Sequence, residues 1–173
     1  MPLPNHKHAC AAIVIGVLAT FAPAGGAESL PEMNRQCGEI IAKEQFRKAE
    51  PLCSASLAEA RNVGAVDREL AVALRNQADV HAELDRPREA EALYLDSLKV
   101  YSQIRQDDSL EAAEVMEDLG DLYFDERKFA LAEPHLRRAL EIRTRIQGIN
   151  AKDTVELRTE YEKLLRRLGH KRE

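Results

Sequence analysis

Tryptophan is absent, and aromatic residues make up only 5% of the 173-residue chain. The chain therefore has no row of aromatic platforms on which bases could stack. Basic residues are not in excess. Lys and Arg total 25 against 30 Asp and Glu, a net charge of −5, and a nucleic-acid binder would need a basic face to neutralise phosphates. Glycine and proline are scarce at 8 and 7, which excludes a collagenous or low-complexity chain. There is no glycine-rich phosphate loop, no nucleophile elbow and no nominated Ser-His-Asp set, so catalysis is not expected. Of five histidines, none pairs with a Cys or carboxylate at metal-ligand spacing on one helical face, so neither metal nor cofactor is expected. His81 is expected to be packed with a satisfied ring nitrogen, and His135 and His170 to be solvated.

What is present divides at residue 27. Residues 1–27 carry one Lys, Lys7, flanked by His6 and His8, and no acid. An uncharged apolar run, Ala9 to Ala22, follows, then Pro23 and the small residues Ala24, Gly25, Gly26 and Ala27. This is the order of a secretory signal peptide, with cleavage after Ala24 or after Ala27. The run spans roughly 21 Å as a helix, short of a roughly 30 Å hydrocarbon core, so no stable membrane anchor is expected after cleavage. Cys10 begins the apolar run rather than following it, which disfavours a lipoprotein. The expected location is periplasmic or secreted. Residues 28–173 would form the mature domain, with net charge −6 and two of the three cysteines, Cys37 and Cys53.

From Glu28 onward the apolar periodicity is helical, with no alternating strand pattern. Self-similarity is the stronger signal. Phe46-Arg47-Lys48-Ala49-Glu50-Pro51 recurs as Phe129-Ala130-Leu131-Ala132-Glu133-Pro134, with Pro87-Arg88-Glu89-Ala90-Glu91-Ala92 between them. Ala49, Ala90 and Ala132 are 41 and 42 residues apart, and Leu57, Leu98 and Leu140 each stand eight residues beyond them. Upstream, Ala78-Asp79-Val80-His81 matches Gly120-Asp121-Leu122-Tyr123.

These residues resemble the tetratricopeptide repeat (TPR), in the 42-residue variety of kinesin light chains, which reads roughly L-x-N-L-A-x-L-Y and then G-x-Y-x-x-A-E-P-L-Y-x-x-A-L. The second copy has Leu74-Arg75-Asn76-Gln77-Ala78-Asp79-Val80-His81, and the third Met116-Glu117-Asp118-Leu119-Gly120-Asp121-Leu122-Tyr123. The first copy is the most divergent, with Cys37 at the position of Ala78 and Gly120. The resemblance implies an all-α fold: a right-handed α-solenoid of three helix-turn-helix pairs (about 30–66, 71–108 and 113–150) plus a C-terminal capping helix over 153–168. Small residues at Ala78, Gly120, Ala90, Ala132, Ser97 and Ala139 let the paired helices approach. Leu157, Leu164, Leu165 and Leu168 would face inward from the cap. Pro87 should open a helix, and Pro51 and Pro134 should lie in first turns.

Cys37 and Cys53 lie equally far on either side of a turn-back near Gln45, so antiparallel helices bring both to one height on the seam. They are either two reduced core thiols or, in an oxidising compartment, a disulfide, which export favours.

The family resemblance implies a binding scaffold that holds a protein or peptide in the concave face lined by the first helix of each pair. The alternative is a structural protein that self-associates end to end into homo-oligomers. On the repeat frame the groove is offered by Asn34, Gly38 and Ile41, then Arg75, Asp79, Ala82 and Glu83, then Glu117, Asp121, Phe124 and Asp125. Glu114 to Glu126 carries six acids and no Lys or Arg, so the acids cannot all pair within that helix and the groove should be acidic, with Ile41 and Phe124 as apolar anchors. Asp79 and Asp121 stand where the carboxylate clamp of related chaperone-binding repeats needs amides. The implied partner is thus a basic segment with an apolar side chain.

Overall fold

The computed structural model describes residues 28–169; the leader read into residues 1–27, and His170, lie outside the described residues. Among the described residues seven helices follow one another with short connections: α1 (Leu30–Ile41), α2 (Phe46–Val63), α3 (Arg68–Glu83), α4 (Pro87–Gln103), α5 (Leu110–Asp125), α6 (Phe129–Gln147) and α7 (Lys152–Arg167). Among the described residues there is no strand.

Local chemistry sets these boundaries. The side chain of Asp67 accepts the Leu70 N–H at 3.0 Å, and that of Ser109 accepts the Ala112 N–H at 3.1 Å, capping α3 and α5. Pro87 occupies the first turn of α4. Pro51 and Pro134 do not lie in first turns. Each is the sixth residue of its helix, on the exposed face, where water can reach the carbonyl left without its i+4 donor.

The turns inside the three pairs are copies of one another. Glu44, Asp85 and Arg127 adopt φ of 55°, 60° and 61°. One residue on, the N–H groups of Gln45, Arg86 and Lys128 reach back five residues to the carbonyls of Ile40, His81 and Tyr123 at 3.2, 2.9 and 2.8 Å. This is the Schellman ending of a helix, usually served by glycine.

Helices pack on their chain neighbours in antiparallel pairs, and the first helices of the pairs, α1, α3 and α5, also touch in turn. The result is an α-solenoid. Ala78, Ala90, Ser97, Ala132 and Ala139 are fully buried at the seams. At Gly120 the approach is closest: a Cβ there would lie 2.5 Å from Leu136 Cδ2. Cys37 of α1 and Cys53 of α2, both with no exposure, form a disulfide with Cα atoms 5.3 Å apart. The α7 helix closes the stack with Leu157 and Leu164 fully buried, and with Leu168 half-buried against the core. Leu165 is only half-buried. Tyr161, which the leucine pattern passes over, joins the core and donates its hydroxyl to Glu133 at 2.9 Å.

Candidate functional site

The concave face is built from the first helix of each pair. At the C-terminal ends of α3 and α5 it deepens into a cavity of about 620 Å³. Its apolar floor comes from Ile41, Phe46, Ala82 and Leu122. Seven carboxylates line it: Asp79, Glu83, Asp85, Asp118, Asp121, Asp125 and Glu126. The one cation of the lining is Arg75. A smaller cavity of about 270 Å³ adjoins it, lined by Asp121, Phe124, Asp125, Leu136, Glu160 and Lys163. Asp121 and Asp125 belong to both.

Arg75 does not neutralise this face. Its Nε donates to Asp118 Oδ2 at 2.7 Å and its other arm pairs with Glu114. Tyr94 donates its hydroxyl to Asp79 Oδ1 at 2.7 Å. Burial holds the carboxyls of Asp79 and Asp118 above the usual range. The charge of Asp118 adds to this at Asp79, while Arg75 works in the opposite direction on both. Asp121 is pushed up to about 8, first by burial and then by Glu160, Glu117, Asp118 and Asp125. Glu83, Asp85 and Asp125 are exposed at the rim.

Seven of the groove residues expected from sequence, Ile41, Arg75, Asp79, Ala82, Glu83, Asp121 and Asp125, line the larger cavity, and Phe124 lines the smaller one, its ring edge-on to Phe129 at 5.3 Å. Asn34, Gly38 and Glu117 line neither. Asn34 is 3% exposed and serves the packing of α1: its Nδ2 donates to the Glu69 carbonyl at 3.0 Å, its Oδ1 accepts from Ser56, and its own carbonyl accepts from Asn76 Nδ2 at 3.0 Å. Glu117 turns toward α6, where Arg143 holds it at 2.7 Å, and burial raises its carboxyl despite that pair. The acids of α5 therefore find cations on other helices, Arg75 and Arg143. Asp121 has no hydrogen bond or ion pair among the described residues.

The sequence frame passes over Asp118, Tyr94, Phe46, Asp85, Glu126 and Glu160 as groove residues. A signal for Asp118 exists: it stands 42 residues after Asn76 in the repeat frame, and the amide there becomes an acid where Arg75 can meet it. Tyr94 occupies a seam position, but its phenol is long enough to reach the groove. His135 is not solvated; it is half-buried with its ring 5.8 Å from Tyr123, and burial lowers its pKa. His81 Nε2 lies 3.0 Å from Gln77 Nε2. No group of three or more His, Cys, Asp or Glu among the described residues is arranged to hold a metal ion, and no described helix is long and apolar enough to cross a membrane.

A stack of antiparallel helix pairs with small-residue seams and a concave first-helix face defines a helical-repeat scaffold. Sequence profiles described as tetratricopeptide repeat match residues 38–103 and 112–150, together more than half of the chain, and the chain belongs to that repeat family. No curated protein matches it. Among solved structures it resembles BtubC (BKLC) from P. vanneervenii, at 22% identity and TM-score 0.68, over 79% of this chain and 54% of that one. It also resembles the nearly identical TPR-like repeats of a Podosopora anserina protein assigned as a kinesin light chain, at 12% identity and TM-score 0.72, over 82% of this chain and 67% of that one. The chain thus spans about half the length of BtubC, and at these identities the likeness is one of fold.

Proposed function

We propose that the chain is an exported, non-enzymatic TPR scaffold that holds a basic protein segment in its concave groove. The observation that carries this reading is the lining of the larger cavity. Seven carboxylates face a single arginine that is already paired, over a floor of Ile41, Phe46 and Leu122. A lysine or arginine side chain would meet the carboxylates while a neighbouring apolar side chain covers the floor. A partner's C-terminal carboxylate would be repelled. The alternative, end-to-end self-association, is weighed down by the charged outer face of α1, where Arg35 pairs with both Glu32 and Glu39.

An acetylated, amidated peptide of alternating lysine, leucine and serine serves as a probe. It should bind the domain, and more weakly as salt rises, because exposed charges are screened within about 10 Å at 0.1 M. Reversal of the exposed rim acids, Glu83→Lys with Asp125→Lys, should weaken binding at least tenfold with helicity unchanged. If the folded double variant binds the peptide as the natural chain does, the groove is not the site. Export is tested separately by reading the N-terminus of protein recovered outside the cytoplasm, where an intact Met1 would overturn it.

A further inference from the structure

We propose that binding in this groove is gated by a proton on Asp121: the groove takes a basic segment when that carboxyl is ionised and lets it go when the carboxyl is protonated. The inference rests on the groove reading above and adds its regulation.

Asp121 and Asp125 both form part of the wall common to the two cavities, so a segment lying along the concave face must pass them, but Asp125 is exposed and Asp121 is not. Asp121 is half-buried, and no hydrogen bond or ion pair reaches it from the described residues. Its own helix presents Glu117, Asp118 and Asp125 around it, and α7 adds Glu160. The two buried or half-buried cations nearest this charge are committed elsewhere. Arg75 of α3 is held by Asp118 and Glu114, and Arg143 of α6 by Glu117. Lys163 of α7 lines the smaller cavity but makes no ion pair there. On α3, Asp79 shares the larger cavity and is tied to the Tyr94 hydroxyl of α4. The surfaces that α1, α2 and α6 bring to the two cavities, Ile41, Phe46 and Leu136, are apolar.

A carboxyl in such surroundings keeps its proton far above the ordinary range, to about pH 8 here, because the charged form loses water and faces like charges. An incoming ammonium or guanidinium supplies the missing positive charge. Binding then exchanges one proton for one cation: the carboxyl O–H breaks, the proton passes to the buffer, and the carboxylate pairs with the partner's side chain. Linkage sets the size of the effect. Below the carboxyl's own pKa, the affinity rises by up to about tenfold per pH unit, with one proton released per segment bound.

The lysine–leucine–serine probe has no group that titrates in this range, so its binding can be followed by calorimetry from about pH 6 to pH 8 in buffers of different ionisation enthalpy. The wild-type chain should bind several-fold to tenfold tighter per unit and release close to one proton. Asp121→Asn should bind at the acid-side affinity throughout. Glu83→Gln, at the exposed rim and not among the charges that act on Asp121, should lower affinity at every pH and leave the slope. Binding with no slope overturns the gate and leaves the groove reading standing. A slope that persists in Asp121→Asn belongs to another group, Asp79, Asp118 or a histidine, and overturns the gate. Absence of binding at any pH overturns the gate and the groove reading together. Carboxyl-carbon NMR of Asp121 in the free protein, with a titration midpoint near the ordinary value of 3.8, would overturn the gate whatever the ligand.

Discussion

A single missing methyl group governs the third helix pair. Gly120 faces Leu136, which is 1% exposed, and an added Cβ would come within 2.6 Å of Leu136 Cγ as well as touching its Cδ2. Alanine would gain up to about 1 kcal/mol of helix propensity, but overpacking a fixed core typically costs about 1–3 kcal/mol. Gly120→Ala is therefore expected to destabilise by roughly 1 kcal/mol in urea unfolding, and Leu136→Ala in the same chain should remove that penalty. Equivalent positions show why. In the second pair the equivalent positions are Ala78 and Tyr94, both buried, and in the first Cys37 meets Cys53 by a covalent bond. The seam residues were legible in the sequence because smallness repeats every 41 or 42 residues. The state of individual acids was not. Nothing in the spacing shows that Arg75, 43 residues upstream, meets Asp118 while Asp121 is left alone, or that Asn34 spends its amide on Glu69. Periodicity assigns a residue to a face; neutralisation depends on what the neighbouring helix brings to it.

At the scale of the elements, the pair turn stands out because its chemistry departs from its geometry. The repeat pattern carries glycine at this place, and the left-handed backbone asks for it, yet the chain has Glu44, Asp85 and Arg127 there. A side chain in this region costs about 1–2 kcal/mol relative to glycine, part of which glycine loses again through its freer unfolded state. Arg127 is exposed and makes no ion pair, so it offers a clean test. Arg127→Gly should raise stability by about 0.5–1 kcal/mol, read as a few degrees in thermal melting, with helix content unchanged. Unchanged or lower stability would mean that the arginine contributes in a way the turn geometry does not require. Of these turns, the first was legible as the turn-back near Gln45. The prolines were misplaced by the same reasoning, because a first-turn rule counts hydrogen bonds and overlooks that an exposed carbonyl can be served by water.

For the whole molecule, the raised carboxyls make stability depend on pH in an unusual direction. Asp121 in the folded chain holds a proton up to about pH 8, whereas in the unfolded chain it ionises near 3.8. Between those values the folded state binds the extra proton, so stability declines as pH rises, with the full contribution present below the unfolded value and gone above the folded one. Asp79 and Asp118 act in the same direction. His81 and His135, whose pKa values burial lowers from 6.5, act in the opposite one and cost stability as pH falls. The melting temperature should therefore fall from about pH 6.5 to pH 8. Asp121→Asn should flatten that fall by an amount of order 1 kcal/mol, allowing for the solvent that reaches the group. Equal pH slopes in the two proteins would show that Asp121 ionises alike in both states.

The link between Cys37 and Cys53 gives the stack a direction. A one-dimensional array loses structure from its ends inward, because an end unit has one neighbour instead of two. Here the two ends are not alike. The first pair is cross-linked across its seam, whereas α7 is a single helix held by packing and by side-chain contacts such as Tyr161 to Glu133, without a covalent link. Fraying should then begin at the C-terminal end and run toward the N-terminal one, like a zipper with one end sewn. The groove, framed by α3 and α5 in the middle, would outlast the cap and open before the stapled pair.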